Sequence, residues 1–200
     1  MFKSFNIKQT IAFGFLCLIV VGCSSYTPYR YSFSLIEPQN EAMSFEDEDV
    51  QFKFVLHAEN IRITIKNKTG HAISLIRDNA KYIDIAGESL GIHYGYDYVQ
   101  EVVNFSNGMH VSEMNIASNS EITGYAWINN WPDFHIGQGP GNIPISTYNI
   151  DNRKEPFFPR YSFEGKGEDF KNSTFNLILP IDFGEYVRDY TFTFKIDDVT

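Results

Sequence analysis

The chain has 200 residues with a net charge of −9 at neutral pH; 43% are hydrophobic and 16% aromatic, including 18 Phe and 12 Tyr. The acidic balance disfavours nucleic acid as a partner, and equally any purely electrostatic adhesion to anionic lipid headgroups. The two cysteines, Cys17 and Cys23, lie near the start, so the body holds no thiol for a disulfide, a thiolate metal site or a Cys nucleophile.

Ile11 to Gly22 is an apolar run of twelve residues, preceded by Lys3 and Lys8 without an acid and followed by Cys23-Ser24-Ser25. As a helix it would measure roughly 18 Å, short of the roughly 30 Å of bilayer hydrocarbon. The pattern predicts an N-terminal signal helix, a basic n-region and an apolar h-region ending at a small-residue processing site. Val20-Val21-Gly22-Cys23 resembles the lipobox of bacterial lipoproteins, with Val20 where that family favours Leu. The resemblance implies a diacylglycerol on the Cys23 thiol, cleavage before it and acylation, such as palmitate, of the new amine. Ser24 in second place resembles the outer-membrane sorting choice, implying a periplasm-facing envelope protein. A single acyl chain binds only marginally, so lasting attachment needs two or three. A plain secretory signal cut at a neighbouring small residue, or an uncleaved anchor, is the alternative. Loss of residues 1–22 would leave 178 residues and a charge of −11, a size that suits one domain.

Residues 23–49 are expected to be a tether with an early strand at Tyr31 to Ile36, ending in the acidic run Glu46 to Asp49. That run reads as a solvated linker or turn rather than a cation site, since no oxygen-ligand spacing around a glycine is present. From Val50 the period becomes two. Phe52, Phe54 and Leu56 alternate with polar or smaller residues, as do Ile61, Ile63 and Ile65, then Ile73 and Leu75. Asn67-Lys68-Thr69-Gly70 predicts a hairpin between the last two strands, with Gly70 at positive φ. Further strands are expected at Lys81–Ala86 and Ser89–Tyr94 around Gly87, at Glu121–Ile128, and at Thr174–Ile181 and Tyr186–Ile196 around Asp182 to Glu185. Little helix is expected. Short antiparallel strands at such spacings predict an all-β, immunoglobulin-like sandwich over 50–200. The Asn-terminated strand at Ile61–Asn67, the hairpin at Tyr82–Gly87 and the closing Leu179-Pro180 and Tyr190-Thr-Phe-Thr-Phe194 elements are similar to a recurrent set of uncharacterised bacterial lipoproteins. That likeness implies the fold and no activity.

Residues 129–171 interrupt the pattern with Gly137-Gln-Gly-Pro-Gly141 and several prolines, a loop-rich insertion long for a compact domain. Phe157, Phe158, Tyr161 and Phe163 are expected to pack it down, with a short extra strand at Arg160 to Glu164. The glycine run lacks the Lys-Ser/Thr of a phosphate loop. His57, His71, His93, His110 and His135 show no metal-ligand spacing and read as surface or turn residues; His110-Val-Ser-Glu113 puts a His near a carboxylate, but on a loop or strand those side chains need not converge. No Ser stands in a nucleophile-elbow context. No metal or cofactor is expected. The remaining ligand feature is aromatic: Trp127, Trp131 and Phe134, with Tyr125 and Tyr148, as a platform for saccharide or peptide. Three readings result: a non-enzymatic envelope adaptor, assembly or maintenance component; a saccharide- or peptide-binding module using 129–171, its partner a glycan or an envelope protein; and an exported hydrolase.

Overall fold

The alternation that starts at Val50 is a strand alternation because one face is fully covered: Val50, Phe52 and Phe54 are buried while Lys53 and Val55 are exposed. A computed structural model describes residues 27–106, 113–129 and 154–200. In chain order the strands are β1 (Tyr31–Glu37), β2 (Gln39–Asn40), β3 (Ser44–Glu46), β4 (Val50–Leu56), β5 (Ile61–Asn67), β6 (Ile73–Leu75), β7 (Lys81–Ile83) and β8 (Ser89–Gly95), then β9 (Met114–Ile116), β10 (Glu121–Ile128), β11 (Thr174–Asp182) and β12 (Val187–Val199), with one α-helix, α1 (Tyr98–Ser106), between β8 and β9. Every strand pair is antiparallel.

The pairs form a single sheet in the order β2-β1-β12-β11-β7-β8-β10-β5-β4-β3, with β6 continuing along β11 beyond β7 and carrying β9. This sheet curls on itself. Phe45 on β3, at one end of the order, packs 5.8 Å from Phe192 and 5.9 Å from Tyr190 on β12, near the other end. The result is a nearly closed, barrel-like all-β body filled by aromatic rings. Phe54 meets Phe192 at 4.6 Å and Phe194 at 5.2 Å across the interior, and Phe175, Phe158 and Phe33 continue the packing. Closure leaves few sheet edges open, which a long antiparallel sheet otherwise has to protect.

The hairpins at Gly87 and Gly184 are where the sequence places them, with φ of +84° and +90° that a side chain would resist. Asp84 and Asp182 accept hydrogen bonds from backbone N–H groups within each turn. Three expectations need correction. The segment 27–49 is folded into the body rather than a free tether: β1 pairs with β12 along its length, β3 with β4, and Arg30 and Thr200 exchange backbone hydrogen bonds. The acidic run is the β3–β4 turn, where Asp47 Oδ1 accepts from the N–H groups of Asp49 and Val50.

The second correction concerns the hairpin expected at Asn67 to Gly70. β5 pairs with β4 and β10, whereas β6 pairs with β9 and β11, so the connection crosses between the two halves of the sheet. Asn67 is the reason. It continues the inward row of Ile61, Ile63 and Ile65, and its amide donates to the carbonyls of His71, Ile116 and Ala117 while its Oδ1 accepts from the N–H and hydroxyl of Thr69. The side chain takes the bonds a hairpin ladder would have made, and Gly70 has no positive φ. Third, Arg160 to Glu164 holds only an isolated bridge between Tyr161 and Pro28. Of its aromatic neighbours, Phe157 and Phe158 are buried, hung from the Ala58 carbonyl by their N–H groups, and Tyr161 and Phe163 are exposed.

β12 is 13 residues long, roughly 40 Å at 3.3 Å per residue. It separates the end where Arg30 pairs with Thr200 from the β11–β12 hairpin at the other end. No helix among the described residues is long and apolar enough to cross a membrane.

Candidate functional site

Two places among the described residues gather polar side chains against aromatic ones around a cleft or under a helix. The first is the outer face of β8 and β10. On β10, Gly124, Ala126 and Ile128 face the interior, so Tyr125 and Trp127 face out, and register sets His93 of β8 beside Trp127. α1 lies over this face with Tyr98 and Val102 against Trp127. Asp97 starts the helix by accepting from the Gln100 N–H at 2.8 Å, an N-cap, and Tyr98/Val102 and Val99/Val103 supply an apolar stripe at i, i+4 spacing.

Beneath α1, Glu101 Oε2 lies 3.0 Å from His93 Nε2 and 3.5 Å from a guanidinium nitrogen of Arg77, which also donates to the Tyr94 carbonyl at 3.1 Å. Gly95 makes room for this carboxylate, since a Cβ there would come within 2.8 Å of Glu101 Cγ. His93 is only 3% exposed, which corrects its reading as a surface or turn residue. Burial pushes its pKa below the ordinary 6.5, and the attraction of Glu101 opposes this without reversing it. Neutral His93 therefore ties helix to sheet.

A His with a lowered native pKa takes up its proton more readily when unfolded. Its contribution is thus intact above the unfolded value of 6.5 and is lost as pH falls through the lower native value. Between about pH 7.5 and 5.5, the native protein should lose more thermal stability than His93→Gln, measured by melting temperature. Equal losses in the two proteins would contradict this.

The second place is an open depression of about 260 Å³ at the hairpin end, lined by Asp49, His71, Phe183, Glu185 and Tyr186. Phe183 and Tyr186 stack at 5.0 Å, and the Arg188 guanidinium lies over both rings and over Tyr190 at 5.2 to 5.6 Å. Arg188 also bridges Asp47 and Asp49 at 3.1 Å each. Burial alone would raise the Asp47 carboxyl, but N–H donors from Val50 and Asp49, the Tyr190 hydroxyl and Arg188 together hold it below the ordinary carboxylate value. Burial, with the same carboxylate, pushes the Tyr190 hydroxyl up. This end is aromatic and acid-lined.

Of the predicted ligand residues, Trp127 is not a platform: it is 3% exposed under α1, and its Nε1–H has no hydrogen-bond partner among the described residues. Trp131 and Phe134, like Tyr148, His110, His135 and the Gly137–Gly141 run, lie outside the described residues, as do Cys23 and the signal helix. Among the described residues no three His, Cys, Asp or Glu side chains gather to hold a metal. His71 of the depression is a turn residue as expected, but its approach to the β11–β12 hairpin had no sequence signal, since 110 residues separate it from the residues around Ile181. Compared with known proteins, the chain matches no family model, no curated protein and no solved structure.

Proposed function

We propose that this protein is a lipid-anchored, non-enzymatic component of a bacterial cell envelope, held to the outer membrane through Cys23 and facing the periplasm as an adaptor, assembly or maintenance factor. The observation that carries the reading is one of placement. Thr27, four residues after Cys23 of the lipobox-like Val20-Val21-Gly22-Cys23, is hydrogen-bonded into the body through the Ser162 N–H, so acylation would hold the body close to the membrane. The depression with Asp49, His71 and Tyr186 then faces away from the lipid, about the length of β12 distant.

A structural role is supported by the His93–Glu101 pair, in which a buried His93 and a part-buried Glu101 pin α1 to the sheet. In this reading the two halves of the curled sheet act as the layers of an immunoglobulin-like sandwich, supported by the contact of Phe52 and Phe54 with Phe192 and Phe194 across the middle. Cys23→Ser should abolish palmitate labelling and leave unprocessed precursor or soluble protein after cell fractionation. Normal labelling of that variant, with unchanged membrane association, would refute the anchor.

A further inference from the structure

β12 runs past one of its two neighbours. β11 pairs with it from Val187 to Lys195, whereas β1, on the other side, covers it only from Val199 to Thr193 before the chain turns back at Pro38 into β2. The phase of the β11–β12 ladder is fixed at both ends: the Phe183 N–H donates to the Tyr186 carbonyl, and the Ile196 N–H to the Ser173 carbonyl. Backbone groups alternate sides along an antiparallel strand, so Arg188, Tyr190 and Phe192 direct theirs to β11. Val187, Asp189 and Thr191 direct theirs the other way, where no strand or loop among the described residues pairs with them. β3 reaches across this gap through side chains, the Phe45 ring on Tyr190 and Phe192 and the Asp47 carboxylate on Arg188 and the Tyr190 hydroxyl, while its backbone pairs with β4.

An open edge recruits another strand unless its side chains forbid one. Those here select a partner by charge. Val187 is 53% exposed, and Asp189 and Thr191 project outward beside it. Glu185 stands at the start of the edge, Asp189 in its middle and Glu37, opposite Thr193, at its end, and none of the three carboxylates is in an ion pair among the described residues. The neighbouring Lys68 and Arg188 are already bridged to Glu46, Asp47 and Asp49. A second copy paired antiparallel over all three open residues would set Asp189 against Asp189, a like-charge contact that opposes pairing. Residues 130–153 carry Asp133, Asp151 and Arg153, too little positive charge to fill the place. A basic strand meets neither obstacle. We propose that the 187–191 edge of β12 binds an extended, basic segment of a partner protein as an added strand, with a Lys or Arg opposite Asp189. The inference rests on the adaptor part of the reading above and not on its anchor.

The test is made on the full-length protein in uncharged detergent. It is titrated with an acetylated octapeptide of alternating lysine and threonine, and with the glutamate–threonine counterpart, while hydrogen exchange is followed amide by amide. In the free protein the Val187, Asp189 and Thr191 amides should exchange about tenfold faster than those of Tyr190 and Phe192, which are held in the ladder. Saturating lysine peptide should slow the three by about tenfold and leave Tyr190 and Phe192 unchanged, and the glutamate peptide should have no effect. Asp189→Arg, at an exposed position, should keep the melting temperature and reverse the preference between the two peptides.

Slow exchange at all three amides of the free protein overturns the proposal, because the edge is then covered by the chain itself, or by a second copy where protection rises with protein concentration. A lysine peptide that leaves the three unprotected, or that binds Asp189→Arg as tightly as the native protein, overturns it too. Cys23→Ser carried through the same titration separates edge from anchor. Membrane association lost with peptide protection intact removes the anchor alone, and association retained without protection removes the edge alone.

Discussion

Phe192→Ala should destabilise the domain by about 4 kcal/mol, within the range of about 3–5 kcal/mol for removing a buried phenyl ring. Phe192 is fully buried and its ring is the hub between the two halves of the sheet, 4.6 Å from Phe54, 5.1 Å from Phe52 and 5.8 Å from Phe45. Three neighbours on β3 and β4 would face the resulting void, and strands fixed by ladders on either side cannot collapse into it. With about 2–4 °C of melting temperature per kcal/mol at this size, a fall of roughly 8–16 °C is expected. Thr191→Ala, on the outward face of the same strand, should change stability by no more than about 0.5 kcal/mol. Denaturant titration of the two variants decides the matter: similar, small losses would mean that the halves do not meet through this ring.

Asn67→Ala should cost about 3–4 kcal/mol although it removes a small polar side chain. Asn67 is 0% exposed, and its loss strips donors from three carbonyls and acceptors from the Thr69 N–H and hydroxyl. Each buried group left unpaired is worth about 1–3 kcal/mol, moderated where His71 and Thr69 lie near water. Asn67→Asp separates the two halves of the role. The acid keeps an acceptor for Thr69 but aims a carboxylate at the carbonyls of Ile116 and Ala117, so it should be more destabilising near pH 7 than near pH 4, where a protonated acid again donates. A pH-independent loss would show that the donor half of the amide contributes little.

These two positions also mark what could be read in the chain and what could not. β4, β5 and β12 were legible because one face of each is covered and the period of two is clean, as in Tyr190, Phe192, Phe194 and Ile196 turned inward. Strand partners were less legible. Asn67-Lys-Thr-Gly70 has the composition of a hairpin turn, and nothing local discloses that the Asn side chain will bond Ile116, 49 residues away, and send β6 to the opposite half.

The helix was missed for a related reason. Tyr98, Val99, Val102 and Val103 have helical spacing behind an Asp97 cap, but β-branched residues favour strands and the segment is short. That omission propagated. Without α1 there was no cover for the outer face of β10, so Trp127 looked like a ligand platform and His93 like a surface residue. Sequence alternation did contain half of the answer, since Trp127 stands opposite in phase to the inward Ala126 and Ile128.

The anchor is the claim on which function and orientation depend, and intact mass spectrometry of the mature protein from membranes tests it most directly. The expected result is a chain beginning at Cys23, heavier than its amino acids by a thioether-linked diacylglycerol and an amide-linked acyl chain. A mature chain that begins elsewhere, or that carries an unmodified Cys23, would contradict it.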